Sequence, residues 1–244
     1  MIYEIDYTVQ QNQLDTFGRV RPSALLGFAL SAAGGHCARL GVDWNTMAEK
    51  GLFWAVLRHR LQIVRYPEVG ERLTVKTWPM PTTRSAYPRA AVALDSAGRE
   101  VFRLTSLWVL MDMAQRSMVL PGKSGVGVEG VLMGDELPAP GSIAPCQLTQ
   151  TVMRTVCPED LDKNNHMTNT RYLDWIDDLQ DTDFRRTHAP REIHICYLAE
   201  ALPGENITLG TTLSPDGFLQ AEGYVTRTDA PGEKTRIFGA RIYF

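Results

Sequence analysis

The chain repeats one order of segments, and that order narrows what it can fold into. Tyr3 to Val9 and Leu148 to Val156 both read as strands. After each come a polar turn, a helix-like apolar stretch and four β-rich segments. In the first half these segments are Ala55–Tyr66, Arg72–Trp78, Tyr87–Leu94 and Val101–Met111. In the second they are Glu192–Ala199, Asn206–Leu213, Leu219–Arg227 and Thr235–Phe244. The turns Asp95-Ser-Ala-Gly98 and Ser214-Pro-Asp-Gly217 carry hairpin chemistry, with a glycine available for positive φ. Residue matches run along the same order. DTFGRVRPSALLGF (Asp15–Phe28) aligns with DKNNHMTNTRYLDW (Asp162–Trp175), and Gly70–Val75 aligns with Gly204–Leu209, the second copy being shorter in between. The shared order points to duplication of a unit of one helix and about five strands.

The first helix, expected from Pro22 to about Leu40, is apolar nearly all round, as a buried helix is. Proline suits its first turn. A buried helix wrapped by a curved antiparallel sheet describes a hotdog fold, so the expected class is α+β, a double hotdog. Pro121 to Pro145 is rich in Gly and Pro without sustained periodicity and reads as a linker. The expected division is 1–120, a linker at 121–146, and 147–244.

Composition excludes several function classes. With 244 residues, 44% apolar and 22% charged, the chain is an ordinary globular one. A formal charge of −3 gives no global attraction to nucleic acid. Cys37, Cys146, Cys157 and Cys196 form no CxxC pair, so neither a zinc site nor a disulfide scaffold is expected. The N-terminus lacks a signal pattern. The most apolar stretch, Leu25 to Gly35, falls short of the ~20 residues of a membrane span. A cytoplasmic protein without cofactor or metal is the expectation.

The segment Asp160 to Trp175 is the densest candidate for chemistry. Asp162, Asn164 and His166 alternate, and in an extended loop residues two apart face the same way. Thr168 or Asn169 can cap a helix that follows, whose stripe is Tyr172, Trp175, Ile176 and Leu179. The triplet would then sit at a helix N-terminus, where backbone N–H groups can hold an oxyanion. The first half has Asp15, Phe17 and Arg19 at these places, so only one copy carries Asn and His. Glu200, at the end of an apolar strand, is the second candidate; its counterpart in the first half is Tyr66. Taken alone, it reads more readily as a solvated edge residue.

Other motifs point to structure. Gly125-Val-Gly-Val-Glu-Gly130 matches GxGxxG without a strand-to-helix context and reads as linker. Gly122-Lys-Ser124 fails as a P-loop because Ser117 stands where its first glycine is required. No GxSxG elbow is present. His36, His59, His188 and His194 lack partner spacing and read as structural. Arg58, His59, Arg60 and Arg65, with Arg84 and Arg89, form the best local patch for an acidic partner.

Three stretches carry a resemblance across most of the chain. They are Phe53–Arg58 through Arg65–Gly70 to Val75–Trp78; Thr105–Asp112 with Arg116; and Asp160–Asn169 with Tyr172 and Trp175. In this order and spacing the sequence resembles the acyl-acyl carrier protein thioesterases of plant plastids and their bacterial relatives. The resemblance implies a double hotdog with catalytic residues Asp162, Asn164, His166 and Glu200 in the second half. It also implies an acyl-chain pocket shaped by the first half, expected around Leu25, Leu26, Phe28, Ala29 and Trp54, with Asn169 as a further binding residue. The substrate implied is a fatty acyl chain on the phosphopantetheine arm of acyl carrier protein, docked at Arg58, Arg60 and Arg65 on a monomer or a homodimer. Many plant members have Cys after the catalytic Glu; here Ala201 stands there, and Cys196 reads as core. Thr168 replaces the first Asn of the usual HVNN and Asn169 keeps the second. Glu200 and His166 are expected to activate water, Asn164 to orient the thioester carbonyl or the water, and Asp162 to orient the network or attack as nucleophile. Backbone N–H groups at Met167–Asn169 are the expected oxyanion donors. Hydrolysis of acyl-CoA, a dehydratase or hydratase activity, and non-catalytic acyl binding are the competing readings.

Overall fold

A computed structural model describes residues 1–227 and 234–244. The chain divides into two compact units. The first is Met1–Val20 with Ala24–Pro140, and the second is Arg21–Ser23 with Gly141–Phe244.

In the first unit the strands are β1 (Tyr3–Thr8), β2 (Leu52–Ile63), β3 (Arg72–Pro79), β4 (Tyr87–Leu94), β5 (Glu100–Asp112) and the short β6 (Met118–Val119). They pair in the order β1-β3-β4-β5-β2, with β6 added to β5. Each of these strand pairs is antiparallel. Across one face lie α1 (Pro22–Arg39) and its contacts to the sheet. Phe28 meets the Tyr7 ring at 5.0 Å, and His36 stacks on Tyr3 at 5.6 Å. The helix is less uniformly buried than its composition predicts. Ser31, Gly34 and Ala38 are exposed, a narrow stripe of small residues. A second helix, α2 (Trp44–Glu49), is short and begins where the Asp43 carboxylate accepts the N–H groups of Asn45 and Thr46.

The Gly- and Pro-rich segment is a docked strap rather than a loose tether. After α3 (Pro121–Ser124) the Tyr87 hydroxyl bonds Ser124, and Val126 is buried. Gly130 lies so close to Met80 that an added Cβ would sit 2.2 Å from its carbonyl. Arg103 donates to the Asp135 carbonyl and Thr105 to that of Leu137. In β-sheet terms 103 and 105 face away from α1, so this strap runs over the outer face. Its last residues belong to the second unit: Arg236 donates to the Ile143 carbonyl at 2.7 Å and Gln220 to that of Ala144 at 2.8 Å.

The second unit has β7 (Gln150–Thr155), α4 (Arg171–Asp177), α5 (Thr182–Thr187), β8 (Glu192–Tyr197), β9 (Asn206–Leu213), β10 (Phe218–Thr226) and β11 (Lys234–Tyr243). The antiparallel order is β8-β11-β10-β9-β7. Tyr172 on α4 packs edge-on against Tyr197 of β8 and Phe238 of β11. Tyr172, Leu173, Trp175 and Ile176 are all buried, which is why this short helix holds: its packing, not its length, stabilises it. Each unit thus sets helix against a curved antiparallel sheet, the hotdog arrangement. Among the described residues no helix is long and apolar enough to cross a membrane.

Candidate active site

Asp162, Asn164, His166 and Glu200 come together in the second unit. The loop that carries the first three is a tight turn, not the extended segment that alternation predicts. Asp162 Oδ1 accepts the backbone N–H groups of Asn164 (2.8 Å) and His166 (3.2 Å). Its backbone N–H donates to the His166 carbonyl, and its carbonyl accepts from Asn165. Asn165 takes φ 61°, the left-handed region that Asn tolerates. A bridge between Leu161 and Met167 closes the turn. The Asn164 amide donates to Asp162 Oδ2 at 3.3 Å. Asp162 is therefore occupied by the loop it organises.

His166 Nδ1 stands 3.6 Å from Glu200 Oε1, and both side chains are partly exposed. That separation is just beyond a direct hydrogen bond. Glu200 is held through its backbone. Arg227 Nη2 donates to the Glu200 carbonyl at 2.6 Å while Arg227 Nε donates to Glu205 at 2.8 Å. The next residue, Ala201, is clamped at both polar atoms: its N–H bonds the Tyr172 hydroxyl and its carbonyl accepts from Met167. Burial, the largest cause, and the nearby carboxylates raise the Tyr172 phenol above its usual range, so it stays neutral. The Ala201 methyl is fully buried.

Two expectations about the following helix change. The residue before α4 is Thr170, itself in helical conformation and without a side-chain cap bond. The α4 segment has 7 residues, and its start lies beyond the triplet. The N–H of Met167 is spent on Ala201 and that of Thr168 on Asp160, which leaves only Asn169 of the three expected oxyanion donors without an internal acceptor among the described residues. Asn169 is also pinned by its carbonyl, which accepts the Tyr197 hydroxyl at 2.9 Å.

Residues 1–120 match the acyl-ACP thioesterase N-terminal domain, and residues 149–235 match the acyl-ACP thioesterase C-terminal domain. The chain belongs to the acyl-ACP thioesterase family. Curated acyl-ACP thioesterases share modest identity with it. A palmitoyl-acyl carrier protein thioesterase of Gossypium hirsutum is 24% identical over 191 residues, covering 72% of this chain and 46% of the relative. An oleoyl-acyl carrier protein thioesterase of Arabidopsis thaliana is 26% identical over 189 residues, covering 71% and 52%. The chain spans about half the length of the curated relatives it matches. Among solved acyl-ACP thioesterases, that of Bacteroides thetaiotaomicron superposes with TM-score 0.83 at 22% identity, covering 100% of this chain and 97% of the other. The 12:0-ACP thioesterase from Umbellularia californica gives 0.82 at 18%, covering 99% and 96%. These likenesses establish the double hotdog fold for this member of the acyl-ACP thioesterase family.

The residues expected to hold the acyl chain and the carrier protein lie in the first unit, Asn169 apart. Leu25, Leu26, Phe28 and Ala29 are buried on α1. Trp54 packs elsewhere, with its indole N–H on the Val42 carbonyl and its ring edge-on to Tyr87. Arg65 is engaged by Glu71 and Asp95, so it adds little uncompensated charge. Arg58 and Arg60 donate to the carbonyls of Pro140 and Pro138 and anchor the strap. Arg89 is no part of a surface patch, being buried.

Several residues around the site escaped the sequence reading. Arg227 lies beyond the next hairpin from Glu200 and has no local signal. Asp160 is buried, accepts the Cys157 N–H and pairs with Arg171 at 2.8 Å, tying the loop to α4. Here a signal exists: the i,i+11 pair flanks the loop, with the arginine in the first turn of α4.

Proposed function

We propose that this chain hydrolyses fatty acyl thioesters of acyl carrier protein, releasing free fatty acid and the carrier's phosphopantetheine thiol. The observation that carries the reading is the approach of His166 to Glu200 beside Asn164, in a chain of the acyl-ACP thioesterase family. In this reading a water bridges His166 and Glu200 and attacks the thioester carbonyl while the pair takes its proton. General acid–base transfer of this kind contributes roughly 10²–10⁴-fold. The Asn164 amide orients the carbonyl, and the Asn169 N–H is the backbone donor available to the developing oxyanion. Asp162 orients rather than attacks, since its carboxylate already accepts two backbone N–H groups and the Asn164 amide. The absence of a thiol at Ala201 fits water chemistry. The buried face of α1, at Leu25, Leu26, Phe28 and Ala29, takes the acyl chain. Arg58 and Arg60 supply the positive charge that meets the acidic carrier protein, with Arg65 contributing less.

The test is thiol release over acyl carrier protein and CoA thioesters of varied chain length. A higher kcat/KM on carrier-protein thioesters is expected. Preference for CoA would move the activity to the acyl-CoA reading, and no thiol release would leave an acyl-binding protein. In ¹⁸O-water under single turnover, label is expected in the released acid only; label in Asp162 or Glu200 would establish a covalent anhydride instead.

A further inference from the structure

A buried polar band crosses the inner face of the first unit. Register places Arg89 of β4, Ser106 of β5 and His59 of β2 side by side on neighbouring strands. All three are buried. The next row on the same face is Ala91, Leu104 and Leu61, and the row after it is Ala93, Phe102 and Ile63. On α1 the residues Leu25, Ala29, Ala32 and His36 form one helical stripe, none more than 1% exposed. The apolar stripe runs about 16 Å from Leu25 to its polar end at His36.

Hydrogen-bond accounting at that end leaves a donor over, the Nε2–H of His36. Arg89 Nη1 donates to His36 Nδ1 at 3.1 Å and to Thr77 Oγ1 at 3.2 Å, and Nη2 points at the Cys37 sulfur at 3.8 Å. The Thr77 hydroxyl proton is spent on the Ala90 carbonyl. Ser106 accepts the Trp108 indole N–H and donates to the Arg89 carbonyl. A guanidinium has no lone pair to offer, so His36 Nδ1 accepts, the ring is neutral and its proton is on Nε2. That Nε2–H is buried without an acceptor among the described residues. Arg89 itself, 8% exposed, has no carboxylate beside it among the described residues. Buried donors and charges are ordinarily satisfied, and leaving them unpaired is costly. What the band lacks is an acceptor, preferably an anionic one.

We propose that His36, through its Nε2–H, reads an oxygen atom carried on the acyl chain while Arg89 orients the ring and supplies positive charge to this end of the path, which makes oxygen-bearing acyl groups, and carboxylate-bearing ones above all, the favoured substrate class. The inference rests on the reading that the acyl chain lies along α1. Small side chains flank that path on both sides, Ala29 and Ala32 on the helix and Ala91 and Ala93 on β4. The chain's alkyl part then meets apolar surface, and its oxygen meets the unpartnered His36 Nε2–H. A carboxylate gains charge compensation as well as hydrogen bonds, whereas a hydroxyl gains hydrogen bonds alone.

The experiment compares acyl carrier protein thioesters of equal chain length ending in a methyl, a hydroxymethyl or a carboxylate group. For the wild-type protein kcat/KM is expected to rise in that order, with the carboxylate at least about tenfold above the methyl. In Arg89→Met and His36→Phe the ratio is expected to fall toward one. Equal or better turnover of the methyl-terminated chain by wild type would overturn the proposal and leave the band as a structural feature satisfied by water. Retention of the ratio in both variants would remove these two residues from the reading. The same three chains presented as non-hydrolysable thioethers, with affinity measured by calorimetry, separate this proposal from the hydrolase reading. The same order of affinity without turnover would sink only the latter, and equal affinities would sink the reader. Because wild type alone gives the deciding ratio, the test survives a variant that fails to fold.

Discussion

Asp162 accepts the backbone N–H of His166 at 3.2 Å, and Asp15 makes the same bond to Arg19 in the other unit at 2.9 Å. The correspondence extends through the turn. Asp15 also accepts the Phe17 N–H, bridge Leu14–Val20 matches bridge Leu161–Met167, and Gly18 at φ 79° stands where Asn165 has φ 61°. The aspartate belongs to the fold of both copies, while Asn164 and His166 belong to one. Two effects should therefore separate. Asp15→Ala and Asp162→Ala each remove an acceptor for two backbone N–H groups and should each destabilise by about 1 kcal/mol. Only Asp162→Ala should also lower kcat, by about 100-fold or more, because it releases His166 and Asn164. Asp162→Asn, which keeps an acceptor oxygen, should recover part of that loss. Urea unfolding together with steady-state kinetics of the three variants checks this.

On the proposed mechanism, the grip of Arg227 on the Glu200 carbonyl makes it a positioning residue. Arg227→Met should leave Glu200 present but less well aimed. The expected result is a fall in kcat of about tenfold with KM within about twofold, since a misplaced catalytic group costs rate more than binding. Glu200→Gln removes the proposed proton acceptor and should lower kcat by about 100-fold or more. A rise in KM alone for Arg227→Met would mean that it acts on substrate binding instead.

The repeat was the most legible feature because it is written in side chains that the backbone requires: an aspartate to hold a turn, then Gly or Asn for the left-handed position. Strands were legible from periodicity, and Arg72, Tyr87, Asn206 and Leu213 fall at the expected ends. The short helices were harder. Both α2 and α5 begin at a capping aspartate, Asp43 and Asp181, but 6 residues give too few turns to show a stripe. The strap was legible only as irregular chain. Its docking uses the main-chain carbonyls of Asp135, Leu137, Pro138 and Pro140, which carry no side-chain signature. In the site, polar residue types pointed to Asp162, Asn164 and His166. The turn geometry and the distant Arg227 depend on long-range pairing and left no local pattern.

Docking of the strap can be tested through Glu136. Its carboxylate accepts the N–H groups of Met133 and Gly134 and the Trp78 indole N–H. Burial, the largest single cause, pushes the carboxyl up, but the backbone N–H bonds and the indole bond together outweigh it and leave the carboxyl below its ordinary range. Glu136→Ala should free this stretch, and Gly130→Ala should lift it because the new methyl has no space beside Met80. Limited proteolysis should then cut between residues 121 and 140 faster than in wild type. Unchanged cleavage in both variants would show that the remaining carbonyl contacts suffice to hold the strap.

The buried His36 gives stability a sign with pH. Burial, followed by the positive charge of Arg89, lowers its pKa from 6.5 to about 4. Between those values the unfolded chain binds a proton that the folded chain does not, so the folded state loses stability as the pH falls. The loss begins near pH 6.5 and ends near pH 4, below which both states are protonated. One such group contributes a slope of at most about 1.4 kcal/mol per pH unit. His36→Phe removes the titrating group. Its unfolding free energy should therefore fall less steeply than that of wild type from pH 6.5 to pH 4.5, whatever its stability at pH 7.5. Parallel curves over this range, measured by urea denaturation, would show that His36 takes up its proton equally well in the folded protein, and with it would go the neutral ring and the Nε2 proton assigned to it.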